Sequence, residues 1–229
     1  MGRSPRITQP GLAYHVLNRR AMGLPLFREN DDYLGFEQVL AESLERPEAP
    51  GLLAWCLMPN HWHLVVQAGR RTDLSTWMQW LTVTHTHRWH AHTQTVGEGA
   101  VYQGRFKSFP VQKGAHFLTV CGYVEANAWR AKLVKRAEAW RWSSLWVRRR
   151  RSSALNRRLR PWPVDRPRNW LAGVNRAMGE EALRCVRQSV TRGVPLGDET
   201  WKARVANRLG LDSTLRPRGR PRKDKQESS

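Results

Sequence analysis

The segment MPNHWHLVV (58–66) sets His61 and His63 one residue apart at the head of an apolar run. In an extended strand alternate side chains share a face. His61, His63 and Val65 therefore lie together, and Trp62, Leu64 and Val66 lie on the side that can anchor in a core. Two imidazoles so placed can converge on one divalent cation; they can equally be polar residues at a strand end. Further along, CGYVEANAW (121–129) places Tyr123 and Asn127 at i and i+4, one above the other on a helix. A phenol is a nucleophile and an amide oxygen a metal ligand, yet the same pair can serve as a packing residue and a local hydrogen-bond partner. THTHRWHAH holds His85, His87, His90 and His92. His87 and His90 are i,i+3 neighbours without a carboxylate or cysteine beside them, so an exposed or DNA-facing helix end is expected there rather than a metal site.

Elements that could position these groups are read from periodicity. GLAYHVLNRR (11–20) has β character, 28–46 spaces Tyr33, Phe36, Val39, Leu40 and Leu44 at helical intervals behind Asn30 as N-cap, and GLLAWCLM then HWHLVVQA reads as two strands, or one bent strand, around the Pro59-Asn60 breaker. A helix is expected over 72–92 from Thr72 or Asp73, a strand over 100–112 and a helix over 115–134. Strands interleaved with helices predict an α+β fold, with a ferredoxin-like antiparallel sheet and helices packed on it as the compact candidate. From 147 the composition changes. The expected organisation is a catalytic domain over 1–147, an exposed Arg/Pro-rich linker over 148–168, a small basic helical extension over 169–211 and a basic tail over 212–229.

The charge of this chain points to a polyanion. It carries 39 Lys+Arg against 19 Asp+Glu, a net +20, and 22 of the basic residues fall in 148–229. Arginine dominates, and its planar fork suits phosphate oxygens; nucleic acid is the first candidate. If 101–109 is a strand, Gln103, Arg105 and Lys107 share a face that could track phosphates, and Arg19 and Arg20 close the first strand similarly. RPRGRPRK (216–223) resembles an AT-hook, in which Arg216, Arg218, Arg220, Arg222 and Lys223 would enter a narrow minor groove. Three scattered cysteines exclude a disulfide framework and fit a reducing cytoplasm. With no apolar run near the ~20 residues of a membrane span, a cytoplasmic, nucleoid-associated protein with no membrane partner is expected.

Taken together, MPNHWHLVV, VYQGRFKS, YVEANAWRAKLV and WRWSS resemble, in order, the signature blocks of the HUH single-tyrosine transposases, named for two histidines around a hydrophobic residue. They are most similar to those of the REP-associated tyrosine transposases. The resemblance covers about 11–147, and one departure is Ala128, where the family often has proline. It implies a metal site of His61, His63 and Asn127 holding Mg²⁺ or Mn²⁺, and Tyr123 as a nucleophile that forms a 5′-phosphotyrosine. It also implies single-stranded DNA hairpins of repeated extragenic palindromes as partners. A free phenol ionises near pH ~10, so cationic surroundings are required. No nucleotide motif is present and none is needed, because the phosphotyrosine conserves the bond for rejoining. Two other readings compete. One is a non-cutting regulator that grips hairpins or AT-rich DNA; the other is a zinc protein or metal hydrolase, which lacks ligands near the histidines and leaves Tyr123 idle. The nicking and strand-transfer reading is the expectation, with monomer or dimer left open.

Overall fold

A computed structural model describes residues 7–150, 153 and 155–216. Arg218, Arg220, Arg222 and Lys223 of the AT-hook-like segment lie outside the described residues. The first six elements run β1 (Ala13–Arg19), α1 (Asn30–Ser43), β2 (Gly51–Met58), β3 (His61–Gln67), α2 (Leu74–Thr93) and β4 (Lys107–Val111). Among the described residues the strands form one antiparallel sheet in the order β2-β3-β1-β4. This βαββαβ arrangement is the ferredoxin-like core expected from the alternation of periods.

Period-two alternation divides the sheet into two packed faces. Trp62, Leu64 and Val66 of β3 join Phe36, Leu40, Trp77, Met78 and Leu81 of α1 and α2 in one core. Asp73 caps α2 by accepting from the Ser75 and Thr76 backbone N–H groups. Helix α1 begins at Asn30, but its N-cap is Glu29, and Asp32 accepts from the Arg28 and Glu29 amides. A carboxylate inside the first turn reaches back to those orphan donors.

The other face packs on the C-terminal half of the chain: α3 (Ala115–Glu125), α4 (Asn127–Arg130), α5 (Ser144–Arg150), α6 (Trp170–Val174), α7 (Glu180–Arg192), α8 (Glu199–Leu209) and α9 (Asp212–Leu215). Phe117, Val120, Cys121 and Val124 of α3 meet Val65, Phe109 and Val186. The helix expected over 115–134 breaks at Ala126 and ends at Arg130, with Lys132 in the left-handed region at φ 60°. Buried Glu125 ties α3 to α5 and α6. It accepts from Ser144 Oγ and Trp170 Nε1, each at 2.7 Å, and pairs with Arg166 at 3.4 Å.

Two further expectations need revision. The strand expected over 100–112 shrinks to Lys107–Val111. Residues 100–106 form a loop that Tyr102 anchors, its hydroxyl lying 2.8 Å from His85 Nδ1 and accepting from Trp62 Nε1 at 3.2 Å. The Arg/Pro-rich stretch is not an exposed linker where it is described. Leu155 is buried, Leu159 bridges Leu52 at the edge of the sheet, and Trp162 packs edge-on against Phe117 and Trp170. Among the described residues no helix is long and apolar enough to cross a membrane.

Candidate active site

Sheet register assembles the site. β3 pairs His63 with Leu17 of β1 and with Cys56 of β2, and pairs His61 with Arg19 and with Met58. Both histidines project toward α3. Their ring centroids lie 4.9 Å apart at 88°. His61 Nδ1 lies 2.6 Å from Asn60 Oδ1, and His63 Nδ1 lies 2.8 Å from Nε2 of buried His15. The Asn60 oxygen can only accept, so His61 carries its proton on Nδ1 and leaves an Nε2 lone pair. His63 presents the same lone pair when its Nδ1–H donates to His15.

Burial holds all three imidazoles neutral, the form that binds metal. It pushes His61 down to about 4, with help from Arg19, and His15 down to about 3, with help from Arg130. His63 is held well below its ordinary value by burial first, then by His15, His61, Arg130 and Arg19.

Tyr123 is half-buried, its ring centroid 5.9 Å from His63 and 6.1 Å from His15. Arg130 lies over the phenol ring at 4.0 Å from its centroid. The guanidinium also donates from Nη1 to the Tyr123 carbonyl at 2.7 Å and from Nη2 to Asn127 Oδ1 at 3.0 Å. Asn127 sits beyond the helix break, and its amide oxygen is engaged by this bond. It does not line the cleft that holds the histidines and the tyrosine. Among the described residues no group of three or more His, Cys, Asp or Glu side chains could hold a metal ion. The donor set brought together is therefore two imidazoles, with an amide oxygen nearby but occupied.

That cleft encloses about 490 Å³ and is lined by Leu17, Asn18, Arg19, His61, His63, Gln103, Gly104, Arg105, Lys107, Tyr123, Val190 and Thr191. Arg19, Arg105 and Lys107, three of the residues expected to meet phosphates, are exposed at it. Arg20 is turned away, stacked 4.2 Å over Trp89 with Nη1 donating to the Ala100 carbonyl. Arg216 is exposed on the extension outside the cleft, and Arg192 donates to its carbonyl oxygen. The other histidines are mostly structural: His85 is buried, its pKa pushed down to about 3 by that burial, and His90 bonds Thr95 and the Gly99 carbonyl. His92 faces Asp32 at 3.5 Å.

Sequence reasoning passed over His15, Arg130 and the α7 residues Val190 and Thr191. A histidine between Tyr14 and Val16 in an apolar strand is a visible anomaly. Its partner, however, lies across a strand pair distant in sequence, so neither spacing nor periodicity links the two.

Comparisons with known proteins bear on the family and the fold. The sequence model for IS200-like transposases matches residues 8–127. A solved REP-associated tyrosine transposase bound to a REP hairpin superposes with a TM-score of 0.52 at 20% identity, covering 72% of this chain and 93% of that one. A Deinococcus radiodurans R1 protein assigned as a transposase is 16% identical with a TM-score of 0.39, over 49% of this chain and 88% of that one. No curated protein matches the chain.

Proposed function

The chain belongs to the IS200-like transposases, and from that premise we propose that it nicks and rejoins single-stranded DNA beside palindromic hairpins through Tyr123. The observation that carries this reading is the convergence of Tyr123, His61 and His63 in one cleft whose rim holds Arg19, Arg105 and Lys107.

Each side chain has a task in that scheme. The basic rim residues hold the phosphates flanking the scissile bond. Tyr123 Oη attacks the phosphorus, forming a 5′-phosphotyrosine ester. The P–O3′ bond breaks, and the leaving oxygen takes up a proton to become a 3′-hydroxyl in exchange for the one the phenol gives up. Reversal by a 3′-hydroxyl rejoins the strand without a nucleotide. Arg130, stacked on the phenol ring, supplies fixed positive charge beside the attacking group.

His61 and His63 fit a divalent cation, because each is neutral and keeps Nε2 free of any hydrogen bond while its Nδ1 is engaged. Mn²⁺ suits imidazole better than Mg²⁺ does. When bound, the cation supplies Lewis-acid polarisation of the scissile phosphate. Asn127 serves as third ligand if its oxygen exchanges the Arg130 bond. The occupied oxygen is also the one observation that favours the alternative, a regulator that grips hairpins without cutting. The AT-hook-like tail, through Arg216, Arg218, Arg220, Arg222 and Lys223, adds duplex affinity under either reading.

A covalent-adduct assay tests the proposal. Protein and its Tyr123→Phe variant are mixed with labelled palindromic hairpins in Mn²⁺ or EDTA. An SDS-resistant band that requires both metal and Tyr123 is the expected result. Tight binding with no band in any metal overturns nicking and leaves the regulator.

A further inference from the structure

A second cavity, of about 550 Å³, opens beside the catalytic cleft. The two share Asn18, Gly104 and Arg105, so they meet at the loop before β4. One wall is a face of α2, where Ser75, Gln79, Thr82 and Thr86 recur every three or four residues and the Val83–His87 pair, i and i+4, flanks them. The opposite wall is the loop from Ala100 to Phe106. Its base is apolar, for Val101, Tyr102 and Phe106 are buried, and Val83 adds an exposed apolar rim.

The polar wall has hydrogen-bonding capacity to offer. Among the described residues the side chains of Gln79, Thr86 and His87 make no hydrogen bond, whereas Thr82 donates back to the Met78 carbonyl. No carboxylate lines the cavity, which disfavours a cationic ligand. Arg105 stands at the junction, exposed and, among the described residues, held only by a 3.4 Å bond to Ser75 Oγ, within the same space as the cleft's other cations. An apolar base below an amide, a hydroxyl and an imidazole, reached past an arginine, is the environment of a flat heterocycle attached to a phosphate. The volume lies within the usual range of roughly 300–1,000 Å³ for small-molecule sites.

We propose that this cavity receives an unpaired base of the DNA strand that crosses the catalytic cleft. Gln79 and His87 read the edge of the base while Arg105 holds its phosphate. The inference rests on the cleft being a single-stranded DNA site. Gln79 offers a donor and an acceptor side by side, the pair that matches adenine N7 and N6. The site therefore selects sequence close to the point of cleavage, separately from recognition of the hairpin.

The test uses binding rather than cutting, with full-length Tyr123→Phe protein. Fluorescence anisotropy is recorded for hairpins carrying a single-stranded flank of about ten nucleotides, each with one abasic position. One position is expected to cost roughly tenfold in affinity, the scale of a single stacked base, and that penalty should vanish when Gln79→Ala and His87→Ala are combined. As a second arm, Thr86→Trp fills the cavity. It should weaken binding of intact DNA and leave binding of the abasic DNA unchanged. Hairpins that bind but show no sensitive position, or one equally sensitive in all proteins, overturn the base site and leave the nicking proposal standing. Failure to bind any single-stranded hairpin overturns both.

Discussion

Nε2 of His15 lies 2.8 Å from Nδ1 of His63, both rings buried in the sheet-to-α3 layer. The bond fixes which nitrogen of His63 faces the cleft. Its cost is visible on the far side of the His15 ring, where Nδ1 is buried without a partner. Outer partners of metal-binding histidines typically govern affinity by about 10–100-fold. His15→Phe keeps an aromatic ring against Phe109, which His15 meets edge-on at 5.0 Å, and removes the acceptor. Mn²⁺ affinity, read by calorimetry on metal-free protein, is expected to fall by that factor while circular dichroism is unchanged. Equal affinity in the two proteins would show that the bond has no bearing on the site.

Arg130 is a mostly buried guanidinium that spans two acceptors, the Tyr123 carbonyl and the Asn127 amide oxygen. A lysine retains the charge but is a single point donor, without the planar fork that meets both acceptors. Arg130→Lys is therefore expected to slow single-turnover adduct formation by about tenfold or more, the scale of a small misplacement of a reacting group. Hairpin affinity should stay near that of the unaltered protein. A matching loss in both readouts would move Arg130 from positioning the nucleophile to binding DNA.

The division of labour along β3 was legible because a strand has a short, strict period: one apolar triplet faces α1 and α2, and the histidines face α3. What escaped depends on partners brought from elsewhere in the chain. His15 meets His63 only through strand register, and the Asn127 amide oxygen is taken up by Arg130 from the next turn. The stretch after Arg148 looked solvated because it is rich in arginine. A β-bulge between Leu52 and Ala54 disturbs the ladder at Leu53, and its carbonyl accepts from Arg148 Nη2 at 2.8 Å and Trp162 Nε1 at 2.9 Å. The charge pattern carried no trace of that acceptor.

Glu37 sets a pH dependence of stability. Its carboxyl is buried, with Oε2 accepting from Ser153 Oγ and Oε1 lacking a partner, and burial pushes its pKa up to about 7. Because the folded-state value is raised, the stabilising contribution is complete below the unfolded value near 4.5 and is lost as pH rises through about 7. The folded protein still holds a proton there that the unfolded chain has released. Glu37→Gln removes this linkage and should be more stable than the unaltered protein at pH 8, by about 3 kcal/mol, with the gap between the two proteins closing toward pH 5. Urea unfolding at pH 5 and pH 8 measures this, and parallel profiles for the two proteins would contradict it.

The segment after Arg216 adds five basic residues, Arg218, Arg220, Arg222, Lys223 and Lys225, against Asp224 and Glu227. If these meet phosphates, truncation after Arg216 should flatten the dependence of log affinity on log salt by about 3 for single strands. Generic attraction would produce that change on any DNA. Arginines laid into a narrow minor groove would add a second effect, a larger loss on AT-rich than on GC-rich duplex, since AT tracts narrow the groove and deepen its negative potential. The hook-like reading therefore expects unequal losses on the two duplexes, measured at one salt concentration. It also expects an unchanged adduct rate at saturating hairpin, because the cleft that holds Tyr123 is lined by residues before 192. Equal losses on both duplexes would reduce the tail to a polycation.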